Sequence, residues 1–312
     1  MQINTICVIG GSGFVGRHLC QQLAAQGYRL RVPTRDRERA KTLILLPTVD
    51  VVVADVQDPV ALAAVVKGCD AVINLVGVLH DARGKRGFEA AHVELARKIV
   101  AACRANNVRR LLQMSALAAA TDAPSAYLRS KGEAEMIVRE SGLDFTIFRP
   151  SVIFGPDDSF LNMFACLARV LPVIALASPD ARFQPVYVDD VAAAFVRALT
   201  DMKTFGRGYA LCGPQRYTLR ELVAYVGRIT GHPRPIIGLN RALSYGQACA
   251  MEWLPVKLMT RDNLRSMEID SVSDSVFPFG IKPQALEAVA PAWLAVRTPR
   301  SRYQRFRNLA GR

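Results

Sequence analysis

The chain has 312 residues, 51% hydrophobic and 21% charged, and its 40 Lys and Arg against 27 Asp and Glu give a formal net charge of +13. The hydrophobic content excludes a disordered chain, and the length excludes a disulfide-stapled mini-protein while suiting one large domain or a nucleotide-binding domain with a smaller appendage. The positive excess raises nucleic acid, anionic membrane and polyphosphate ligands as partners, and total charge does not choose among them.

Residues 1–9 form a short β-branched run ending in glycines, with no basic stretch ahead of a long apolar one. They read as a first strand and not as a signal peptide. From there short apolar runs alternate with amphipathic helical patterns. Strands are expected at 6–9, 30–34, 51–54, 71–76, 111–115 and 145–148, and helices at 15–25, 60–66, 88–106 and 127–140. This alternation requires a parallel sheet covered on both faces.

After Arg149-Pro150 the pattern loosens, punctuated by Pro156, Pro172, Pro179 and Pro185. One strand-and-helix unit returns at 183–200, so the chain is expected to leave the sheet and rejoin it. The segment 201–294 has shorter elements and more proline, which suits a substrate-covering lobe. Within it, 239–259 carries Leu243, Tyr245, Met251, Trp253 and Leu254 with few charges. Packed core is the first reading of that segment, with a pocket lid or a patch touching lipid or a partner as alternatives.

The most apolar stretch, 164–177, is interrupted by Arg169 and Pro172 and falls short of the roughly 18–20 residues that span a bilayer, so no integral membrane segment is expected. The seven cysteines are dispersed with no C-x-x-C, which fits a reduced, cytoplasmic compartment. The four histidines do not pair with cysteine or each other at ligand spacing, and no metal is expected.

The strongest motif places Gly10, Gly13 and Gly16 directly after the first strand and at the opening of a helix, in the run Gly10-Gly11-Ser12-Gly13-Phe14-Val15-Gly16. The first glycine makes the tight turn, the second admits a pyrophosphate and the third lets helix and strand approach, while the helix N-terminus presents N–H groups to an anion. The reading is a dinucleotide-binding loop. The expected fold is therefore α/β, a Rossmann-type doubly wound parallel sheet with a smaller C-terminal substrate lobe. The domains read as 1–150 rejoined by 183–200, then 151–182 with 201–296, then a basic tail at 297–312.

Arg35 as the first residue beyond the second strand would grip a ribose 2′-phosphate and favour NADP(H); a one-residue shift would put Asp36 there and favour NAD(H). Asp55-Val56 sits where a carboxylate can accept from an adenine amino group, and in Leu75-Val76-Gly77 the glycine would let the backbone approach a ribose. Tyr127 and Lys131 stand four apart on a predicted helix, hence on one face. An ammonium beside the phenol would lower its pKa, fitting Tyr127 for proton exchange with a substrate oxygen while Lys131 holds the nicotinamide ribose.

These residues in this order, with Ser115 at the end of the preceding strand, resemble the extended or atypical short-chain dehydrogenase/reductases of the NAD(P)-dependent epimerase/dehydratase superfamily. Phe148-Arg149-Pro150 through Pro156, Phe160-Leu161-Asn162, Phe183 through Val191 and Leu258 through Asn263 resemble more narrowly the branch containing the nucleotide-binding accessory subunit of respiratory complex I and its bacterial relatives. The resemblance implies that Ser115 orients a substrate carbonyl or contacts cofactor, since Ala116 and Leu117 stand where many members have a second hydroxyl; Ser125 is the alternative. It also implies that Pro150, Ser151, Val152 and Ile153 lie against the nicotinamide. His92 reads either as facing the site or as a packed core residue.

Two functions follow from the resemblance. One is an oxidoreductase acting on a carbonyl or quinone-related, hydrophobic small molecule, with Tyr127, Lys131 and Ser115 as catalytic residues. The other is a non-catalytic NADPH-binding structural or assembly factor for a membrane respiratory or ubiquinone-biosynthesis complex. The last 16 residues hold six arginines and no acid, interleaved with Tyr303 and Phe306. This tail suits a tether to anionic lipid at the inner face of a membrane, with a solvated end as the alternative. Nucleic acid is not expected, since outside this tail no basic motif is interleaved with aromatics.

Overall fold

In the computed structural model, residues 3–78, 81, 87–253 and 259–295 are described. The chain opens as β1 (Thr5–Ile9), α1 (Phe14–Ala25), β2 (Arg29–Thr34), α2 (Lys41–Ile44), β3 (Val49–Val53), α3 (Pro59–Val66) and β4 (Ala71–Asn74). A π-helical segment, Glu89–Glu94, runs into α4 (Leu95–Ala105), followed by β5 (Arg110–Met114), α5 (Ala126–Arg139) and β6 (Asp144–Pro150). Next come β7 (Ile153–Phe154), α6 (Phe160–Val170), β8 (Ile174–Leu176), β9 (Arg182–Phe183), β10 (Val186–Tyr187), α7 (Val188–Thr200) and β11 (Arg207–Leu211). The last elements are β12 (Tyr217–Thr218), α8 (Leu219–Ile229), β13 (Ile236–Gly238), α9 (Arg241–Glu252), α10 (Arg261–Ser266), α11 (Leu286–Val289) and α12 (Pro291–Leu294).

The chain divides into two compact units. The first draws its described residues from Met1–Pro150, Val188–Leu211 and Ser275–Ile281. It holds a parallel seven-stranded sheet in the order β11-β6-β5-β4-β1-β2-β3. The order reverses between β1 and β4, so the crevice for a ligand opens beyond the carboxyl ends of those two strands. Cys7, Ile9 and Val72 bury one face of the sheet against Leu62, Leu95 and Ile99 of α3 and α4. Crossovers running in opposite directions place α1 on the other face, where it is joined to α7 by His18 Nδ1 and Asp189 Oδ1 at 2.6 Å. Arg110 is fully buried and staples the end of α7, donating to Leu199 O (3.0 Å), Ala198 O (2.5 Å) and Thr204 Oγ1 (2.9 Å).

The second unit comprises Ser151–Tyr187, Cys212–Asp274 and the described residues from Lys282 onward. It holds three strand pairs, β7 with β10, β9 with β12 and β8 with β13. Phe154, Phe164, Leu219, Leu222, Val226 and Leu286 anchor its core. A capping box between Thr218 and Glu221 starts α8. Among the described residues no helix is long and apolar enough to cross a membrane.

Several expectations need correction. The rejoining segment is Val188–Leu211, not 183–200: β9 and β10 belong to the second unit, while β11 enters the main sheet at its edge. That strand escapes a reading for apolar runs because Arg207 and Gly208 are exposed and only Leu211 is fully buried. The helix expected over 88–106 is π-helical in its first part. The core reading of 239–259 fails for Leu243, Tyr245 and Trp253, which are 58%, 48% and 91% exposed on or just after α9; that helix buries Ser244 and Ala248 instead. Leu254, His80 and the arginine tail lie outside the described residues.

Candidate active site

The glycine loop is built by backbone contacts that leave no room for side chains. Gly10 turns the chain out of β1 at φ +83°, and a Cβ there would stand 3.2 Å from the backbone of Leu75 and Val76 beyond β4. A Cβ on Gly16 would meet Gly10 O at 2.4 Å, so the helix rests directly on the loop. Gly11 is buried under Val32. Gly13 is the N-cap of α1 with no side-chain cap, and Phe14 and Val15 follow it without an acidic residue in the first turn. Ser12 and Gly13 are partly or fully exposed. An uncapped, acid-free helix start at the switch point is suited to an anion.

β2 ends at Thr34, so Arg35 is the first residue beyond it, and it is exposed. Asp36 is committed elsewhere: its Oδ1 accepts from Glu38 N at 2.9 Å, capping a short 3-10 turn. Asp55 lies two residues beyond the end of β3, half-buried, with Oδ1 accepting from Gln57 N at 3.0 Å. Val56 packs against the apolar core.

At the carboxyl ends of β4 and β5, Lys131 reaches back from α5. It is 2% exposed, and its Nζ donates to Val76 O at 3.1 Å and Met114 O at 3.4 Å. A Cβ on Gly77 would stand 3.3 Å from that Nζ. Ser115 follows Met114, is 4% exposed, and its Oγ has no hydrogen-bond partner. A buried hydroxyl without a partner costs about 1–3 kcal/mol, so the arrangement suits a polar ligand atom. Gly10, Leu75, Val76, Gly77, Lys131 and Ser115 thus form one continuous row, and these residues fit a dinucleotide.

Tyr127, one turn before Lys131, is half-buried with its ring 5.8 Å from Phe88 and 5.7 Å from His92. The expectation that Lys131 lowers the phenol pKa is not met. Burial pushes the Tyr127 phenol up to about 12. Burial also pulls the Lys131 ammonium down to about 8, opposed in part by Glu135. Desolvation wins on both groups, on Lys131 by outweighing the attraction of Glu135. Ser125 is not a spare hydroxyl either: it is buried and caps α5, accepting from Leu128 N at 3.2 Å.

Pro150 closes β6, and its carbonyl accepts from Leu117 N at 3.1 Å. Ser151, Val152 and Ile153 begin the second unit, where Ser151 Oγ donates to Ser271 O at 2.7 Å. Three residues near the site escaped sequence reasoning. Glu135 is buried, binds Arg149 at 2.8 and 2.5 Å, and stands four after Lys131, a spacing visible in the sequence. Gly132 lets α5 touch the loop before it, since a Cβ would meet Ala120 C at 2.4 Å. Ser130 bonds to His92, and nothing in the sequence marks that pair.

A family model described as NAD(P)H-binding matches residues 10–163. The chain is 38% identical over 224 residues to the Arabidopsis thaliana mitochondrial NADH dehydrogenase (ubiquinone) 1 alpha subcomplex subunit 9, covering 69% of this chain but only 55% of that protein. The Mus musculus protein of the same name is 30% identical over 296 residues, covering 90% of this chain and 77% of that one. An Escherichia coli NADPH-dependent quinone oxidoreductase complexed with NADPH superposes with a TM-score of 0.73 over 92% of this chain and 99% of that one; at 20% identity this bears on the fold alone. The chain belongs to the family of the NADH dehydrogenase (ubiquinone) 1 alpha subcomplex subunit 9 proteins and carries an NAD(P)H-binding domain.

Proposed function

We propose that the protein binds NADP(H) along the row from Gly10 to Ser115 and reduces a carbonyl or quinone-related small molecule. The observation that carries this reading is the buried, unpartnered Ser115 hydroxyl, one residue after the Met114 carbonyl to which the Lys131 ammonium donates. Arg35 supports the phosphorylated nucleotide, because it holds the position after β2 while Asp36 caps its own turn. A bound nicotinamide supplies the hydride. Ser115 donates a hydrogen bond to the substrate oxygen or to the nucleotide. Lys131, protonated below about pH 8, holds the ribose and favours negative charge developing nearby. Tyr127, with its phenol at about 12, is fully protonated at neutral pH, which suits it to give a proton to an oxygen as it becomes basic. Reduction is therefore the direction the groups favour. Supporting evidence would be oxidation of NADPH with a panel of quinones and aldehydes, slowed at least 100-fold in Tyr127→Phe.

The second reading is an NADPH-binding structural or assembly factor of a membrane respiratory complex. It is favoured by the names of the mitochondrial relatives and by the same high phenol pKa, which makes Tyr127 a poor base. Binding of NADPH with no turnover on any panel member, and full cellular function in Tyr127→Phe, would select it over the first.

A further inference from the structure

His92 sits in the π-helical segment, is 2% exposed, and is neutral because burial pulls its pKa down to about 2, with Lys131 adding to the effect. Its hydrogen bonds admit only one tautomer. The backbone N–H of Val78 can only donate, so Nε2, at 3.1 Å, carries the lone pair. The proton is then on Nδ1, which donates to Ser130 Oγ at 2.8 Å, and Ser130 passes its own hydrogen to Tyr127 O at 2.8 Å. The ring is held flat against Phe88, with centroids 5.9 Å apart, and edge-on to Tyr127. Every donor in this relay has an acceptor.

The relay joins the same two segments as the Lys131 bond to Val76 O. One tether runs from the stretch after β4 to Lys131; the other runs from Val78 through His92 and Ser130 to the first turn of α5. Two parallel tethers fix distance and rotation where one would leave a hinge. π-helical turns are rare and recur at functional sites, and this one carries the residue that makes both bonds.

We propose that His92 is a positioning residue that locks the Val76–Val78 stretch to α5, setting Lys131 and Tyr127 for the nicotinamide half of the nucleotide. This rests on the NADP(H)-binding reading above, and the role separates from general stability by comparing two probes.

The experiment titrates NADPH and adenosine 2′,5′-bisphosphate, which lacks the nicotinamide half, into the full chain carrying wild-type His92, His92→Phe, His92→Gln or Ser130→Ala. Amide exchange at Val78 is followed in parallel. His92→Phe keeps ring volume but loses both bonds. It is expected to weaken NADPH about tenfold, leave adenosine 2′,5′-bisphosphate within twofold, and speed Val78 exchange at least tenfold. His92→Gln, which can still accept from Val78, should recover most of both losses. Ser130→Ala cuts only the second link, should fall between, and serves if His92→Phe does not fold. Equal weakening of both probes, or no change in NADPH affinity and Val78 exchange, overturns the proposal. Failure of wild-type protein to bind either probe overturns the functional reading instead, while Val78 exchange still tests the tether.

Discussion

Lys131→Met tests the site at the point where binding and stability pull against each other. The Lys131 ammonium titrates at about 8 where a lysine ordinarily titrates near 10.5, and at ~1.4 kcal/mol per tenfold in proton affinity its burial costs the fold about 3 kcal/mol. Methionine fills similar space without charge but gives up the bonds to Val76 O and Met114 O, worth about 1 kcal/mol each. The variant should therefore be about 1–2 kcal/mol more stable than wild type at pH 7. Glu135 does not become an orphan, because Arg149 and Arg139 still face it. The sign with pH is fixed: between 8 and 10.5 the native amine is neutral while the unfolded chain still holds its proton, so wild type gains stability as pH rises and the variant does not. The variant's advantage should be full below pH 8 and be gone by about pH 10, and its NADPH affinity should fall at least tenfold. Urea unfolding followed by circular dichroism at pH 7 and 9.5, with NADPH fluorescence titration, reads all three. A variant less stable than wild type at pH 7, or a difference unchanged with pH, would refute the reasoning.

Gly16→Ala should destabilise by about 3 kcal/mol and abolish nucleotide binding, because the Cβ meets backbone at Gly10 O and Gly11 Cα that cannot yield; a thermal midpoint within a degree of wild type contradicts this. Arg35→Ala should weaken NADPH at least tenfold and NADH less than twofold, and equal losses in parallel titrations would reject the assignment of the 2′-phosphate to Arg35. Arg110→Met should cost about 3 kcal/mol by leaving Ala198 O and Leu199 O without their donor, with NADPH affinity of the folded protein unchanged. In wild type, NADPH affinity should hold steady below pH 8 and decline above it as Lys131 loses its proton; a flat profile to pH 9.5 would remove the ammonium from the site.

The sheet was legible because buried parallel strands must be continuously apolar, and Ile6–Ile9, Ala71–Ile73 and Leu111–Leu112 are. The glycine loop was legible because each glycine meets backbone. Spacing alone put Tyr127 and Lys131 on one face, but not the consequence for their proton affinities. Proximity argued for a lowered phenol, whereas burial, which is a property of the assembled site, raised it. β11 was missed because an edge strand needs one buried side chain in five, and α9 was misread because apolar content is not burial. The His92 relay depends on a π-helical turn that no local pattern marks.

The most direct test of the central claim is a crystal structure of the protein with NADPH bound. Ser115 Oγ and Lys131 Nζ are each expected within about 2.7–3.2 Å of a nucleotide oxygen or nitrogen, with Gly10 and Gly13 against the pyrophosphate and Arg35 on the 2′-phosphate. A nucleotide lying elsewhere, or one that leaves the Ser115 hydroxyl still without a partner, would contradict it.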